Sequence, residues 1–327
     1  MKSSQLMPLK FRPILKEKIW GGQKLINQFN KQSQSTQLGE SWELSQVEDH
    51  VSEVDFPQQF RGSSLNDFIE TSAEEFLGSD CVSRFGHKFP ILFKFIDARQ
   101  TLSVQLHPDD TIAKKKHNSF GKTEMWYIMA TDKDAFIIVD FNKKLSKQEY
   151  IEALEEGTLV EHLQKIPVKP GDVFFIQPGL VHAIGEGVVL AEIQQTSDIT
   201  YRIFDWNRVD DQGNLRDLHT SEALEAIKFQ PDYNYKIDYN KNSTNPEKLV
   251  HCKYFKTNFL NLNEGLKLLD YSNHKNFVVL MCVEGKFNFT YNSVLYQVNS
   301  GETLFLPACI KQIELCSMKC KLLEVSL

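Results

Sequence analysis

From residue 250 to 327 the chain is an almost continuous series of β-forming runs: YFKTNFLNL, LKLLDY, FVVLMCVEG, KFNFTYN, VLYQV, ETLFLP, IKQIELCS and CKLLEVSL. They recur about every eight to twelve residues, with Gly285, Gly301 and Asn/Ser turns between them, the spacing of a small sandwich or barrel. One run, GETLFLP at 301–307, echoes GDVFFIQP at 171–178. The echo suggests two related β-barrel halves. No His follows Pro307, so the tail half is expected to lack a metal. Between the halves, residues 229–248 are rich in Asn, Tyr, Lys and Asp without sustained periodicity and read as a linker. The expected division is a catalytic domain over 1–240 and a C-terminal β-barrel over 241–327.

The upstream copy is less uniform. Asp172–Ile176 is an apolar β run, Pro178-Gly179 is turn chemistry, and His182 stands where the next strand would begin. Val188–Gln194 is a further β run that Glu192 interrupts, and Arg202 follows ten residues later. A His, a carboxylate and an Arg on otherwise apolar strands are costly to bury unless they pair or bind something. This stretch therefore reads as the edge of a site.

Earlier strands offer partners for it. Lys94 interrupts the apolar run PILFKFI; such a lysine either snorkels outward or, inside a cavity, meets an anion. Leu102–His107 alternates strictly, with Ser103, Gln105 and His107 on one face and Leu102, Val104 and Leu106 on the other. Glu124 opens the strand EMWYIM, and AFIIVDF at 135–141 is expected to form a hairpin with it. Gly39–Ser45 alternates as a half-buried strand, and Trp20 and Trp42 read as core. Helical spacing and a Ser cap predict a helix over Ser64–Leu77, with Gly78 as its stop. Asp110–His117 reads as a short exposed helix or loop. Residues 145–166 read as an inserted pair of short helices, the first with a Ser146/Glu149 capping box.

Composition excludes several classes of function. At 41% apolar and 24% charged residues the chain is that of an ordinary globular protein. A formal net charge of −6 gives no basic footprint for nucleic acid or anionic membrane. No apolar run is long enough to span a bilayer, and the N-terminus has no signal-like apolar segment. The six cysteines, Cys81, Cys252, Cys282, Cys309, Cys316 and Cys320, form no CxxC pair and read as buried free thiols of a cytoplasmic protein.

Strand hairpins, a GD…P-G turn followed by His, and an alternating strand that ends in His together suggest a mainly β fold. It would be a cupin-like double-stranded β-helix (jelly roll), with converging side chains able to hold a divalent metal inside. The candidate ligands are His107, Glu124 and His182, with Gln105 as a fourth. That donor set suits zinc with an open position.

The motifs IWGG (19–22), LFKFIDARQTLSVQLHPDD (92–110), GKTEMWY (121–127), QPGLVHAIGEGVVLAEIQQTSDITYRIFDWNR (177–208) and RDLH (216–219) carry a further signal. In them the chain resembles the type I mannose-6-phosphate isomerases, in the short form of bacilli and their relatives. The general cupin pattern has HxH with a Glu a few residues later. Here Gln105 replaces the first His, and Glu124 lies seventeen residues beyond His107.

The resemblance implies one zinc ion per chain on Gln105, His107, Glu124 and His182. It further implies an active-site Arg at Arg202, a site lysine at Lys122, acidic positions at Glu192 and Asp198, and phosphate-side positions at Lys94 and Ser103. The implied reaction interconverts mannose 6-phosphate and fructose 6-phosphate through a cis-enediol. Arg202 would stabilise developing charge, and Glu192 or Asp198 would serve as base, unless Glu192 only pairs with Arg202. The implied partner is a sugar phosphate, with no nucleic acid and no membrane, in a monomer or weak homodimer. Two other classes remain open at this point: a cupin-type metal-dependent oxygenase, which would need iron, and a non-catalytic sugar-phosphate-binding relative.

Overall fold

The computed structural model describes residues 6–209, 212–229 and 234–327. Its N-terminal two-thirds is built on two facing sheets. The seven-stranded sheet runs, in spatial order, through Lys236–Ile237, Val173–Ile176, Glu124–Thr131, Val188–Gln195, Ile91–Ala98, Ile14–Gly22 and Leu38–Leu44. The five-stranded sheet runs through Leu163–Pro167, Phe136–Phe141, His182–Ile184, Val104–Leu106 and Tyr201–Phe204.

From Ile91 onward the chain crosses between the sheets after almost every strand, with Leu163–Pro167 as the exception. This winding is the expected jelly roll, and it corrects the expected hairpin. Glu124–Thr131 pairs with Val173–Ile176 and Val188–Gln195, whereas Phe136–Phe141 pairs with Leu163–Pro167 and His182–Ile184. Asp134, at φ 62°, helps turn the chain over at the corner. The two strands then meet face to face, packing Trp126 and Ile128 against Ile137 and Val139 in one core. Alternation fixes which side chains share a face, but not which strand pairs with which.

A second core lies outside the five-stranded sheet, where Val104, Leu106 and Ile138 meet Tyr150, Leu159 and Tyr201. Its cover includes the helix Lys147–Glu155, which carries the expected Ser146/Glu149 capping box. The second expected helix is a short 3-10 turn, Leu159–His162, followed by the strand Leu163–Pro167. The open edge of the five-stranded sheet explains the difference. Its backbone groups need partners, and a strand ending in proline is tolerated at an edge. The helix Leu65–Leu77 has the expected serine cap and Gly78 stop; the cap is Ser64, and it forms a capping box with Asp67.

The last third forms one antiparallel sheet. Its two long strands, Val278–Tyr291 and Gln312–Ser326, lie side by side, and each changes its outer partner midway. Gly285 sits at this bend with φ 75°, where a Cβ would lie 2.1 Å from the Lys319 carbonyl oxygen. No other residue fits there. Gly171 before Asp172 and Gly301 before Glu302 share a positive φ, 82° and 84°.

Packing does not stop where the sheets change. Leu9 and Phe305 exchange both backbone hydrogen bonds at 2.8 Å, and Phe76, Phe89, Phe277 and Phe305 pack ring against ring. The segment read as a linker is partly a strap. Tyr235 is buried and Lys236–Ile237 joins the seven-stranded sheet, while residues 230–233 of that segment lie outside the described residues. No helix among the described residues is long and apolar enough to cross a membrane.

Candidate active site and metal centre

Register builds the site. On the five-stranded sheet Gln105 stands opposite His182 on one side and Arg202 on the other, so these three form one cross-strand row. On the seven-stranded sheet Glu192 stands opposite Trp126 and Lys94, and Lys94 opposite Trp42. All seven side chains line a cavity of about 450 Å³, together with Lys16, Lys18, Trp20, Glu40, His50, Ser103, Lys122, Asp198 and Arg216. Leu102 also lines it, off the strict alternation, because the regular strand begins only at Val104.

His107, Glu124 and His182 converge at the buried end, their potential ligand atoms all within 4.8 Å of one another. His107 Nδ1 lies 2.8 Å from the Ile199 carbonyl oxygen and His182 Nδ1 lies 2.9 Å from that of Leu180. Each Nδ1 therefore carries the proton, and each Nε2 presents a lone pair. Burial and the Lys122 ammonium push His107 down to about 3, and burial lowers His182, so both rings are neutral. Burial alone would raise the Glu124 carboxyl, but the Lys122 ammonium, Nζ 3.2 Å away, holds it well below the usual carboxylate range.

Two imidazole lone pairs thus face a carboxylate at 3.4 Å each. His107 Nε2 and both Glu124 oxygens are buried without a hydrogen-bond donor. Acceptors aimed at acceptors in a dry site repel unless a cation lies among them. The side-chain amide of Gln105 lies beside the cluster, its Nε2 3.5 Å from His182 Nε2. The donors fit a divalent metal, and the carbonyl partners of the two Nδ1 atoms are the outer contacts that orient metal-binding histidines.

Beside this centre Lys94 Nζ lies 3.0 Å from Glu192 Oε1 and 5.1 Å from the Trp42 ring centroid. Trp126 Nε1 donates to Glu192 Oε2 at 3.0 Å, and Trp42 Nε1 donates to Glu40 Oε2 at 2.7 Å. Burial would lower the Lys94 ammonium, but Glu192 and Glu40 raise it above the ordinary lysine range. Glu192 pairs with Lys94 rather than with Arg202. Arg202 donates from Nη1 to the Asp217 carbonyl, and burial together with Arg216 lowers its pKa. Ser103 Oγ lies 3.4 Å from Gln105 Oε1, and Asp198 is exposed at the rim.

Eight of the ten expected site residues line the cavity, and the other two, His107 and Glu124, stand behind it in a cluster with His182. Five were missed. Glu40 and Trp42 share a strand face opposite Ser41 and Glu43, an alternation that was legible but did not show which face is inward. Lys16, Lys18 and Arg216 carried no periodic signal.

Comparison with known proteins agrees with this geometry. A family description of the phosphomannose isomerase type I catalytic domain matches residues 8–147, and one of the mannose-6-phosphate isomerase cupin domain matches 245–327. The mannose-6-phosphate isomerase ManA of Bacillus subtilis is 34% identical over 311 residues, covering 94% of this chain and 95% of that protein. The mannose-6-phosphate isomerase of Streptococcus mutans is 32% identical over 305 residues, 93% of each. The crystal structure of the Bacillus subtilis mannose 6-phosphate isomerase is similar with a TM-score of 0.89 at 29% identity, covering 98% of this chain and all of the other.

Proposed function

The chain belongs to the type I mannose-6-phosphate isomerases, an aldose–ketose isomerase family, and on that premise we propose that its cavity works with one zinc ion held by Gln105, His107, Glu124 and His182. The observation that carries this reading is the pair of neutral imidazoles whose Nε2 lone pairs face one ionised carboxylate. When bound, such an ion polarises a substrate oxygen as a Lewis acid.

The chain's own residues supply the rest. Isomerisation takes the proton from C2 of mannose 6-phosphate and returns one to C1 through a cis-enediol. Arg202, one strand from Gln105, stabilises the oxygen on which charge develops. Glu192 or Asp198 is the base. Glu192 is the stronger candidate because the Trp126 N–H and the Lys94 ammonium hold its carboxylate in a fixed place on the cavity wall. Asp198, at the rim, is the alternative. Lys122 keeps Glu124 ionised, and Ser103 and Lys94 offer hydrogen bonds to the phosphate end. Lys94 reaches that role only by sharing its charge with Glu192. The free thiols among the described cysteines fit a cytoplasmic setting.

The test is a coupled assay for fructose 6-phosphate formed from mannose 6-phosphate, before and after chelation, with metal content measured alongside. Activity that disappears with one equivalent of metal and returns on zinc addition supports the reading. A zinc-loaded protein that makes no fructose 6-phosphate sinks it. Oxygen uptake by an iron-loaded form would promote the oxygenase alternative, against which family membership already weighs.

A further inference from the structure

We infer that Arg216, held in place by Asp205, binds the phosphate of the substrate and sets the direction in which the sugar enters; this rests on the isomerase reading above. After the strand Tyr201–Phe204 the chain turns through Trp206 and Asn207, both in the left-handed region. It then fastens to the segment that leads into Ser103. Trp206 Nε1 donates to the Leu102 carbonyl at 2.7 Å, and Arg208 Nη1 donates to the Thr101 carbonyl at 2.8 Å. Asp205, buried beside them, receives Arg208 Nη2 and also a forked pair from Arg216, Nε at 2.6 Å and Nη2 at 2.5 Å.

The following residues run back along the same strand. Arg202 Nη1 donates to the Asp217 carbonyl at 2.9 Å, and the His219 N–H donates to the Arg202 carbonyl at 2.7 Å. This brings Arg216 onto the cavity wall with Ser103 and Arg202. A guanidinium has five N–H donors, so the clamp orients the fork without exhausting it.

Charge then decides the direction. Arg208 and Arg216 share the single buried carboxylate of Asp205, and the nearby Arg202 has its Nε buried without an acceptor. Across from the five-stranded wall that carries Arg202, the buried Glu192 lines the cavity beside Lys94 on the seven-stranded sheet, with the His107, Glu124 and His182 cluster next to it. A sugar phosphate carries its dianion at C6 and its reacting carbons at C1 and C2. It fits such a cavity with the phosphate on Arg216 and the reacting end between Arg202 and Glu192. A guanidinium fork suits two phosphate oxygens better than a lysine ammonium does.

The test compares wild type, Arg216→Ala and Arg216→Lys as metal-loaded enzymes, with inorganic phosphate as the competing anion. Arg216→Ala should raise KM for mannose 6-phosphate at least about 10-fold while kcat stays within about threefold. Inhibition by inorganic phosphate should weaken by a comparable factor. Arg216→Lys should fall between, because it keeps the charge and loses the fork. It also serves if the alanine variant does not fold. Unchanged KM and unchanged phosphate inhibition in both variants would overturn the inference, as would a loss confined to kcat. A wild-type enzyme that forms no fructose 6-phosphate would instead overturn the isomerase reading. Calorimetric titration with inorganic phosphate, wild type against Arg216→Lys, would then still decide whether Arg216 binds the anion.

Discussion

Lys94 and Glu192 face each other from adjacent strands, Nζ 3.0 Å from Oε1, and less than a tenth of either side chain is exposed. A buried pair of this kind contributes little net stability when intact, because desolvation offsets the attraction. Removing one partner strands the other charge. Lys94→Met should therefore cost about 3 kcal/mol or more in urea denaturation. The double variant Lys94→Met/Glu192→Leu should recover part of that loss. The recovery is partial because Lys94 also offsets the charge of Glu40. A single variant as stable as wild type would mean that water reaches the pair.

The metal centre predicts an order of effects among its ligands. His182→Ala removes a neutral imidazole already oriented by the Leu180 carbonyl. It should lower metal affinity by more than about 100-fold, beyond what the loss of an outer contact costs. Gln105→Ala removes a neutral amide, a weaker donor, and should cost less. Metal content after dialysis reads both. Zinc should also raise the melting temperature of the wild type, since an ion that binds only the folded chain stabilises it by mass action. His182→Ala should lose that response. Full metal retention in His182→Ala would remove His182 from the ligand set.

What could be read ahead of the structure depended on local pattern. Ser103 and Gln105 were assigned one face because strand side chains alternate, and the structure puts both on the cavity wall. The capping box at Ser146 and the serine cap of the helix Leu65–Leu77 were legible because each lies within four residues. Partnership was not legible. The strand over 136–141 pairs with Leu163–Pro167 and His182–Ile184, a choice made by sheet closure and not by its own alternation. The second insertion helix failed for a related reason, since an open sheet edge claimed Leu163–Pro167 as a strand. Arg216 stood in the RDLH motif, but its place on the cavity wall was not legible, because it sits in a polar loop and Asp205 clamps it only after the chain has turned back on itself.

Glu192 and Trp126 separate chemistry from support. If Glu192 moves the proton, Glu192→Gln should lower kcat by at least about 100-fold in protein that is still folded at the assay temperature, while the stranded Lys94 charge lowers the denaturation midpoint separately. Trp126→Phe keeps the carboxylate but removes the N–H donor 3.0 Å from Oε2, and should cost about 10-fold through lost orientation. Near-wild-type turnover in Glu192→Gln would remove Glu192 from the reaction and leave Asp198 as the base. Asp198→Asn under the same assay would then carry the larger loss.

Asp172 offers a prediction in pH. Its side chain is buried on the turn just before Val173–Ile176 and accepts from Lys236 Nζ at 2.7 Å, Lys241 Nζ at 2.9 Å and the Lys169 N–H at 3.1 Å. Burial alone would raise this carboxyl; the two lysines and the backbone N–H overcome that and hold it below the usual aspartate range. An acid whose folded pKa lies below its unfolded one contributes stability that is fully present above the unfolded value, about 3.9, and is lost as pH falls through the folded value. Asp172→Asn should thus cost about 1 kcal/mol at neutral pH, a modest figure because both lysines are partly exposed and screened by solvent. The gap between wild type and variant should stay constant down to about pH 5 and close below about pH 4. Because Lys236 and Lys241 lie on the strap that joins the seven-stranded sheet to the C-terminal sheet, limited proteolysis should cut the variant within 234–247 sooner than the wild type. A stability gap that widens on acidification would show that Asp172 is protonated in the folded chain, and the strap would then have to be held by Tyr239, whose hydroxyl donates to the Gly171 carbonyl.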